Sequence, residues 1–231
     1  IQGAGTMSGS SLTVGQGGAQ TGGNDPGQPG LAYGAGILLQ GNGGTLNLAP
    51  ASGFLQTYSD EIADQTGVGG TGLNAGTWSL TKSGGGTTIL SATNLYSGGT
   101  FLDGGILRVS ADNNLGNSAG ALSFNSGILE TTATLSSARP VTINAGGGTF
   151  QVDTGTTTLS GNIAGAGAVT KTGAGGLTLT GTNSFSGGTT ITAGTLTGNT
   201  ASLPGNILNN AALVFNQPTA GTFVGNIMGV G

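Results

Sequence analysis

Two stretches of this chain repeat one another in the same register. From Leu80 to Leu107 the chain reads L-T-K-S-G-G-G-T-T-I-L-S-A-T-N-L-Y-S-G-G-T-F-L-D-G-G-I-L, and from Val169 to Leu196 it reads V-T-K-T-G-A-G-G-L-T-L-T-G-T-N-S-F-S-G-G-T-T-I-T-A-G-T-L. Equivalent positions such as Lys82 and Lys171 lie 89 residues apart, and no gap is needed. Recurrence at a fixed spacing is typical of chains that stack similar units along one axis. The repeat therefore predicts a solenoid.

The rest of the chain reads as short strands separated by turns. Leu177 to Thr180 alternates apolar and polar side chains, which is the period of a half-buried strand, and similar runs recur about every 8–12 residues. Small residues such as those at 97–99 and 186–188 separate the runs as turns. Leu55 to Gln65 is the best candidate for a helix, with Ser59 as its cap. Short strands, small corner residues and a long gapless repeat favour a parallel β-helix over a sandwich, so the chain is predicted to be all-β.

The predicted organisation is one β-helix segment over residues 1–231, with residues 1–30 as an irregular or mobile end. The two repeat copies occupy 80–109 and 169–198. At ~22 residues per coil, the chain would form ~10 coils over ~50 Å, with the copies ~4 coils apart.

Composition excludes several classes of protein. The chain has 51 Gly but only 6 Pro, which argues against collagen, and its 35% hydrophobic and 5% charged content argues against disorder. Its cations are Lys82, Arg108, Arg139 and Lys171, too few and too scattered to bind nucleic acid or an anionic membrane surface. No apolar run reaches the ~18 residues of a membrane span. We expect neither a nucleic-acid partner nor membrane insertion of this segment.

The chain contains no Cys. Two explanations stay open. The fold has no need of a disulfide, or the chain must remain free of disulfide cross-links while it crosses a membrane. No signal peptide is visible at the start, which is expected of a mature chain or a fragment.

The repeated stretches resemble the passenger-associated transport repeat of bacterial autotransporters, also called the autotransporter-associated β-strand repeat. That pattern combines Thr-Lys, spaced Gly and Leu residues, one Asn, one aromatic residue, Gly-Gly-Thr and a final Gly-x-Leu. The matching positions to which we assign a structural role are Lys82, Gly84, Asn94, Tyr96, Gly98, Gly99, Gly105 and Leu107 in the first copy, and Lys171, Gly173, Leu177, Leu179, Asn183, Phe185, Gly187, Gly188, Gly194 and Leu196 in the second. The first copy departs from the pattern at Thr88 and Ala92. Because residues 225–231 resemble residues 161–167, which precede the second copy, the chain is expected to stop just before a third copy.

The resemblance implies a right-handed parallel β-helix in a passenger that is displayed on the bacterial surface or secreted. It also implies export with the help of the protein's own C-terminal β-barrel translocator, which is absent from this chain. We therefore expect a structural, secretion-supporting stalk of an adhesin-like surface protein, with no enzymatic activity, cofactor or metal. Its expected further partners are a host surface or another copy of itself.

Two other functions stay open. The segment could be a binding module whose lateral face recognises host matrix or glycan. It could also be a fragment of a polysaccharide-active enzyme that uses the acidic cluster of Asp60, Glu61 and Asp64, although a solvated loop is the simpler interpretation of that cluster.

Other motifs favour structural interpretations. The G-x-S-x-G pattern at Gly116–Gly120 has no His in the chain to activate its serine. The G-x-G-x-x-G pattern at Gly67–Gly72 is not followed by a helix start. Lys82 and Lys171 are predicted to be exposed charges that discourage strand-to-strand aggregation. The residues Thr178, Thr180, Thr190 and Thr192 could form a flat hydroxyl array, but ordinary strand surface is the preferred interpretation.

Overall fold

Short parallel strands, stacked coil on coil, make up this structure. The computed structural model describes Thr6–Met7 and residues 36–231. The strands are, in chain order, β1 (Thr6–Met7), β2 (Gly36–Leu39), β3 (Gly44–Leu48), β4 (Leu55–Tyr58), β5 (Glu61–Asp64), β6 (Trp78–Lys82), β7 (Thr87–Leu90), β8 (Thr100–Leu102), β9 (Ile106–Val109), β10 (Leu122–Phe124), β11 (Ile128–Thr131), β12 (Leu135–Ser137), β13 (Val141–Ile143), β14 (Gly148–Val152), β15 (Thr156–Leu159), β16 (Ile163–Ala164), β17 (Val169–Thr172), β18 (Gly176–Leu179), β19 (Thr189–Ile191), β20 (Thr195–Gly198), β21 (Ile207–Asn209), β22 (Ala212–Phe215) and β23 (Ile227–Gly229). A 3₁₀ turn, η1 (Asp112–Leu115), is the one helical element among the described residues.

The strands form three long faces, and successive strands along the chain pass from one face to the next. Face I contains β1, β3, β6, β8, β10, β13 and β16, and face II contains β4, β7, β9, β11, β14, β17, β19, β21 and β23. Face III contains β2 and β5 and, further along, β12, β15, β18, β20 and β22. The nine strands of face II correspond to about nine coils in the described chain. The predicted all-β parallel solenoid is confirmed.

Face III is continued without regular strands where the first repeat crosses it. The backbone N–H of Leu95 donates to the carbonyl of Ile62 in the coil before it at 2.8 Å, and that of Asn94 donates to Asn113 in the coil after it at 2.9 Å. Residues 94–96 and η1 therefore fill two coils of face III between β5 and β12. The buried side chain of Asn94 lies at this break in the regular ladder.

Alternating side chains build a thin apolar core. One inward column of face I runs through Leu46, Leu80, Thr100, Leu122, Val141 and Ile163, which pair in register from coil to coil. Leu179 and Leu196 lie in the core on face III, whereas Thr180 is exposed, as the alternation predicts. Each fully buried Leu, Ile or Phe contributes ~1.5–3 kcal/mol. Stability is thus distributed along the axis.

Two structures that the sequence left possible are not formed by the described residues. Residues 55–65 form strands β4 and β5 instead of a helix, because parallel pairing with β7 and β2 satisfies their backbone groups. The four threonines do not form a flat array, in agreement with the preferred interpretation of ordinary strand surface: Thr178 and Thr180 lie at face III, and Thr190 and Thr192 at face II. The expectation for residues 1–30 falls outside the described residues, apart from Thr6–Met7.

Candidate functional site in the repeated motif

The two copies of the motif begin on different faces of the solenoid. The first copy runs through β6, β7, β8 and β9 and starts on face I, whereas the second runs through β17, β18, β19 and β20 and starts on face II. Between these starts the chain completes four coils, from β6 to β16 along face I, and then moves one face onward. The repeat distance is therefore four coils plus one face. Equivalent side chains of the two copies consequently do not stack into one lateral surface.

The repeat lysines are core residues. Lys82 pairs with Leu48 and Leu102 in an inward column of face I, and Lys171 pairs with Phe150 and Ile191 in an inward column of face II. Both lysines have no solvent exposure. The prediction that they are exposed edge charges is wrong, because strand alternation turns them inward and their long aliphatic stems pack among apolar neighbours.

Each buried ammonium group is held by three backbone carbonyls at a corner of the coil. Lys82 Nζ donates to Ser83, Gly84 and Gly104 at 2.6, 3.1 and 3.1 Å. Lys171 Nζ donates to Thr172, Gly173 and Ala193 at 2.6, 2.9 and 3.1 Å. In each set the third carbonyl belongs to the next coil, so the lysine joins two coils. Its three donors are all used.

Burial lowers the pKa of Lys82 and of Lys171 to about 8. For Lys171 the nearby Asp153 carboxylate acts in the opposite direction. The carbonyl acceptors also favour the charged form, so the two lysines retain hydrogen bonds that partly offset the cost of burying an ammonium group.

A motif glycine lies directly against each ammonium group. A Cβ atom on Gly105 would lie 2.6 Å from Lys82 Nζ and 2.4 Å from the carbonyl oxygen of Gly84. On Gly194 it would lie 2.7 Å from Lys171 Nζ and 2.4 Å from the carbonyl of Gly173. Both glycines also have positive φ, at 59° and 69°. The lysine and the glycine, 23 residues apart in each copy, therefore form one structural unit.

The repeat asparagines connect three successive coils. Asn94 Oδ1 accepts the backbone N–H of Ile62 in the coil before it at 2.8 Å, and its Nδ2 donates to the carbonyl of Asn114 in the coil after it at 2.6 Å. Asn183 makes the same pair of bonds, to Ile163 at 2.8 Å and to Ser202 at 2.7 Å. Both amides are buried. The side chain thus supplies the inter-coil bonds where the regular strand ladder is interrupted.

The aromatic position differs between the copies by one hydroxyl group, which is present in Tyr96 and absent from Phe185. Tyr96 and Phe185 are each 1% exposed. The Tyr96 hydroxyl bonds to Thr100 Oγ1 at 2.7 Å. Thr189 occupies the position of Thr100 in the second copy, and its buried Oγ1 has no hydrogen-bond partner. Phe185 lacks the hydroxyl that would reach it.

The remaining assigned positions are tightly packed. The leucines are at most 1% exposed, namely Leu107, Leu177, Leu179 and Leu196. A Cβ atom on any of the other motif glycines would come within 3 Å of backbone in an adjacent coil, namely Gly84, Gly98, Gly99, Gly173, Gly187 and Gly188.

The G-x-S-x-G stretch is a loop folded around a buried arginine. Arg139, which is 2% exposed, uses all five of its N–H donors on residues 112–120. Its Nε donates to Asp112 Oδ1 at 2.9 Å. Its Nη2 donates to the carbonyls of Asp112 and Gly116 at 3.0 and 2.7 Å. Its Nη1 donates to the carbonyl of Gly120 at 3.0 Å and to that of Asn117. Nothing in the local sequence indicates this pairing, since Arg139 lies in the following coil.

The three acidic residues of the proposed cluster lie in different environments. Asp64 is fully buried, and its carboxylate accepts from the backbone N–H groups of Gly67, Trp78 and Ser97 and from the Ser97 hydroxyl. Alternation puts Glu61 on the opposite side of β5, and Asp60 is exposed in the preceding turn. Asp64 thereby anchors the G-x-G-x-x-G loop with its own carboxylate. The solvated-loop interpretation is wrong for Asp64.

In the part of the chain that the structure describes, no group of three or more Asp, Glu, His or Cys residues could hold a metal ion. No helix among these residues is long and apolar enough to span a membrane.

The fourth cation is paired on the outside of face II. Arg108 Nε donates to Glu130 Oε1 at 2.7 Å. Burial raises the pKa of Glu130, Arg108 lowers it, and the adjacent Asp153 carboxyl raises it. With both lysines and Arg139 buried, the described surface offers very little positive charge.

Comparison with known proteins agrees with this geometry. The passenger-associated transport repeat matches residues 80–109 and 169–197. The chain is thus a segment of an autotransporter passenger, and the segment carries two such repeats. It is 45% identical over 161 residues, 68% of its length, to the adhesin BmaC autotransporter of Brucella suis biovar 1 (strain 1330). No solved structure matches the chain.

The chain spans about 5% of the length of that curated relative. Passengers of this class are exposed on the bacterial surface or secreted, which places this segment outside the cell.

Proposed function

We propose that this segment is a structural, secretion-supporting part of the stalk of an adhesin-like passenger. One observation carries the proposal: the polar side chains of each repeat, Lys82 and Asn94 or Lys171 and Asn183, bond only to backbone groups and join adjacent coils. A site for substrate or receptor would present such groups to solvent. Here they hold coils together.

The proposed mechanism is vectorial growth of the solenoid. Most of the stability of a solenoid lies in contacts between neighbouring units, so one well-formed unit templates the next. Each repeat adds the lysine and asparagine bonds to this interface, which makes its two coils a stable seed. A seed that folds outside the cell would prevent the passenger from sliding back through the membrane, with no need for ATP.

The proposed partner in export is the protein's own C-terminal β-barrel translocator. We also propose that the segment is not an enzyme, which the similarity to an adhesin supports. The internal use of Asp64 leaves only Asp60 and Glu61 of the acidic cluster available to a substrate.

The test is the removal of whole coils from the full-length passenger. Deleting 80–99 joins Ser79 to Thr100, which takes the register position of Leu80, so the faces stay in phase. Deleting 169–188 does the same in the second copy, since Val169 pairs with Thr189. The matched control deletes 141–162, a coil outside both repeats, where Ile163 replaces Val141.

We expect both repeat deletions to lower the amount of passenger accessible to external protease several-fold more than the control does. Adhesion per displayed molecule should change less. Equal display after all three deletions would contradict the proposal, as would normal display with adhesion abolished by a repeat deletion.

A further inference from the structure

One exposed aromatic ring lies in the middle of the solenoid. The exposed large apolar side chains of the described residues all lie in 54–73 or 208–230, except Phe101. Phe101 is 38% exposed in β8 on face I, between the buried Thr100 and Leu102. Because β8 is covered by coils on both sides, an open end of the solenoid does not account for this exposure.

The second repeat shows that the fold does not need this ring. Thr190 and Thr192 occupy the positions that Phe101 and Asp103 occupy in the first copy. Strand β19 also buries its first and third residues, and Thr190 between them is partly exposed. A scaffold built twice from the same motif thus carries Phe and Asp on its outer surface in one copy only. This difference points to a role outside folding.

The neighbours of Phe101 are polar. Phe101 pairs with Thr81 in the coil before it and with Ser123 in the coil after it. Ser123 Oγ accepts from Asn144 Nδ2 at 2.9 Å. Asp103 is exposed, and its carboxylate has no hydrogen bond or ion pair with any described residue. Asn125, one coil further on, is also exposed.

We propose that Phe101, Asp103, Ser123 and Asn125, called here the Phe101 patch, bind a neutral glycan. A sugar ring has an apolar C–H face, which an aromatic ring can cover, and an edge of hydroxyl groups, which carboxylate, amide and hydroxyl side chains can bond. The inference rests on the proposed function only in that face I must be displayed outside the cell.

Charge favours a neutral ligand over an acidic one. The chain has a net charge of −4, and Lys82, Lys171 and Arg139 are buried. A sialylated or sulfated glycan would meet the Asp103 carboxylate with no exposed cation nearby on face I to compensate it. A protein partner is less suited, because interfaces of that kind need a larger apolar core than one ring.

Binding at one patch is expected to be weak because a flat sheet face encloses little of the ligand. Many passengers on one cell would present many patches, so that multivalent attachment gains strength through avidity. A multivalent assay is therefore the appropriate one.

The experiment measures retention of the purified 231-residue chain on surfaces densely coated with manno-, cello- and galactose-terminated oligosaccharides. Sialylated and sulfated oligosaccharides and an apolar peptide serve as comparison surfaces. The test variants Phe101→Thr and Asp103→Thr introduce the residues that the second repeat has at these positions. The matched controls are Thr190→Ala and Thr192→Ala. Fluorescence of the single tryptophan, Trp78, verifies folding of each protein.

We expect retention on at least one neutral glycan, a loss of tenfold or more in Phe101→Thr, a smaller loss in Asp103→Thr, and no change in the controls. Retention on no neutral glycan would overturn the proposal, as would equal retention of Phe101→Thr. Stronger retention on the apolar peptide, lost in Phe101→Thr, would also overturn it and indicate a protein partner. Because the assay uses purified protein, a negative result leaves the export role intact.

Discussion

At the scale of single residues, the repeat uses polar side chains as internal connectors. A lysine with no solvent exposure would be expected to need a counter-ion, yet the ammonium groups of Lys82 and Lys171 donate hydrogen bonds to carbonyl oxygens alone. Of the two, only Lys171 has a carboxylate nearby, that of Asp153. The geometry suits the corner of a coil, where successive carbonyls point inward and no strand pairs with them. The same logic applies to Asn94 and Asn183, which occupy interruptions of the strand ladder.

The buried lysines predict an unusual alkaline profile. Their pKa falls from the ordinary 10.5 to about 8 in the fold, so between these values the unfolded chain binds more protons than the folded one. Stability should therefore rise as pH increases from about 8 towards 10. Above pH 10 the raised pKa values of Tyr58 and Tyr96 act in the opposite direction. The chain has no His or Cys to obscure this window.

Urea denaturation at several pH values, followed by Trp78 fluorescence, measures this profile. The double variant Lys82→Met, Lys171→Met should lose the rise between pH 8 and 10, because Met preserves the stem but cannot titrate. A rise of equal size in the double variant would show that other groups cause it.

The aromatic position predicts a stabilising substitution. Phe185→Tyr should place a hydroxyl near Thr189 Oγ1, as Tyr96 does for Thr100. Satisfying this buried group should stabilise the fold by ~1 kcal/mol, and Tyr96→Phe should destabilise it by a similar amount. Thermal unfolding of both variants measures the pair, and destabilisation by Phe185→Tyr would contradict the equivalence of the two corners.

At the scale of strands, period-two alternation decides which side chains enter the core. In β18, Leu177 and Leu179 are buried and Thr178 is partly exposed. The corner that follows turns Thr180 to solvent. A shift of one residue would exchange these environments, so the register of each strand is strongly determined.

A charge placed at neighbouring positions of this strand tests the register. Leu179→Asp should destabilise the chain by several kcal/mol, roughly 3–5, because it buries an unpaired carboxylate and removes apolar contacts. Thr180→Asp should change stability by no more than ~0.5 kcal/mol, since the residue is exposed. Denaturant unfolding compares them, and equal effects would refute the assigned register.

At the scale of the whole molecule, the phase of the repeats around the axis determines what they can do. Because the copies are displaced by four coils plus one face, they point in different directions. They therefore cannot form one shared lateral binding surface. Bonding between adjacent coils, in contrast, works equally well on any face. The phase of the repeats also determines which deletions keep the later strands on their faces. Removal of 80–109, which is about one and a half coils, would shift all later strands to other faces, whereas removal of 80–99 preserves them.

The sequence by itself determined the solenoid, because a gapless long repeat, two-residue alternation and small corner residues act locally or between adjacent coils. It also indicated the class of protein through the spacing of its motif. The burial of Lys82 and Lys171 was decided only by the tertiary structure, since composition suggests that lysines are exposed and the carbonyls that hold them come partly from the next coil. The same holds for Arg139, Asp64 and the exposed Phe101 patch. Their partners or neighbours lie one coil away, and the register that brings them together depends on the length of every intervening turn.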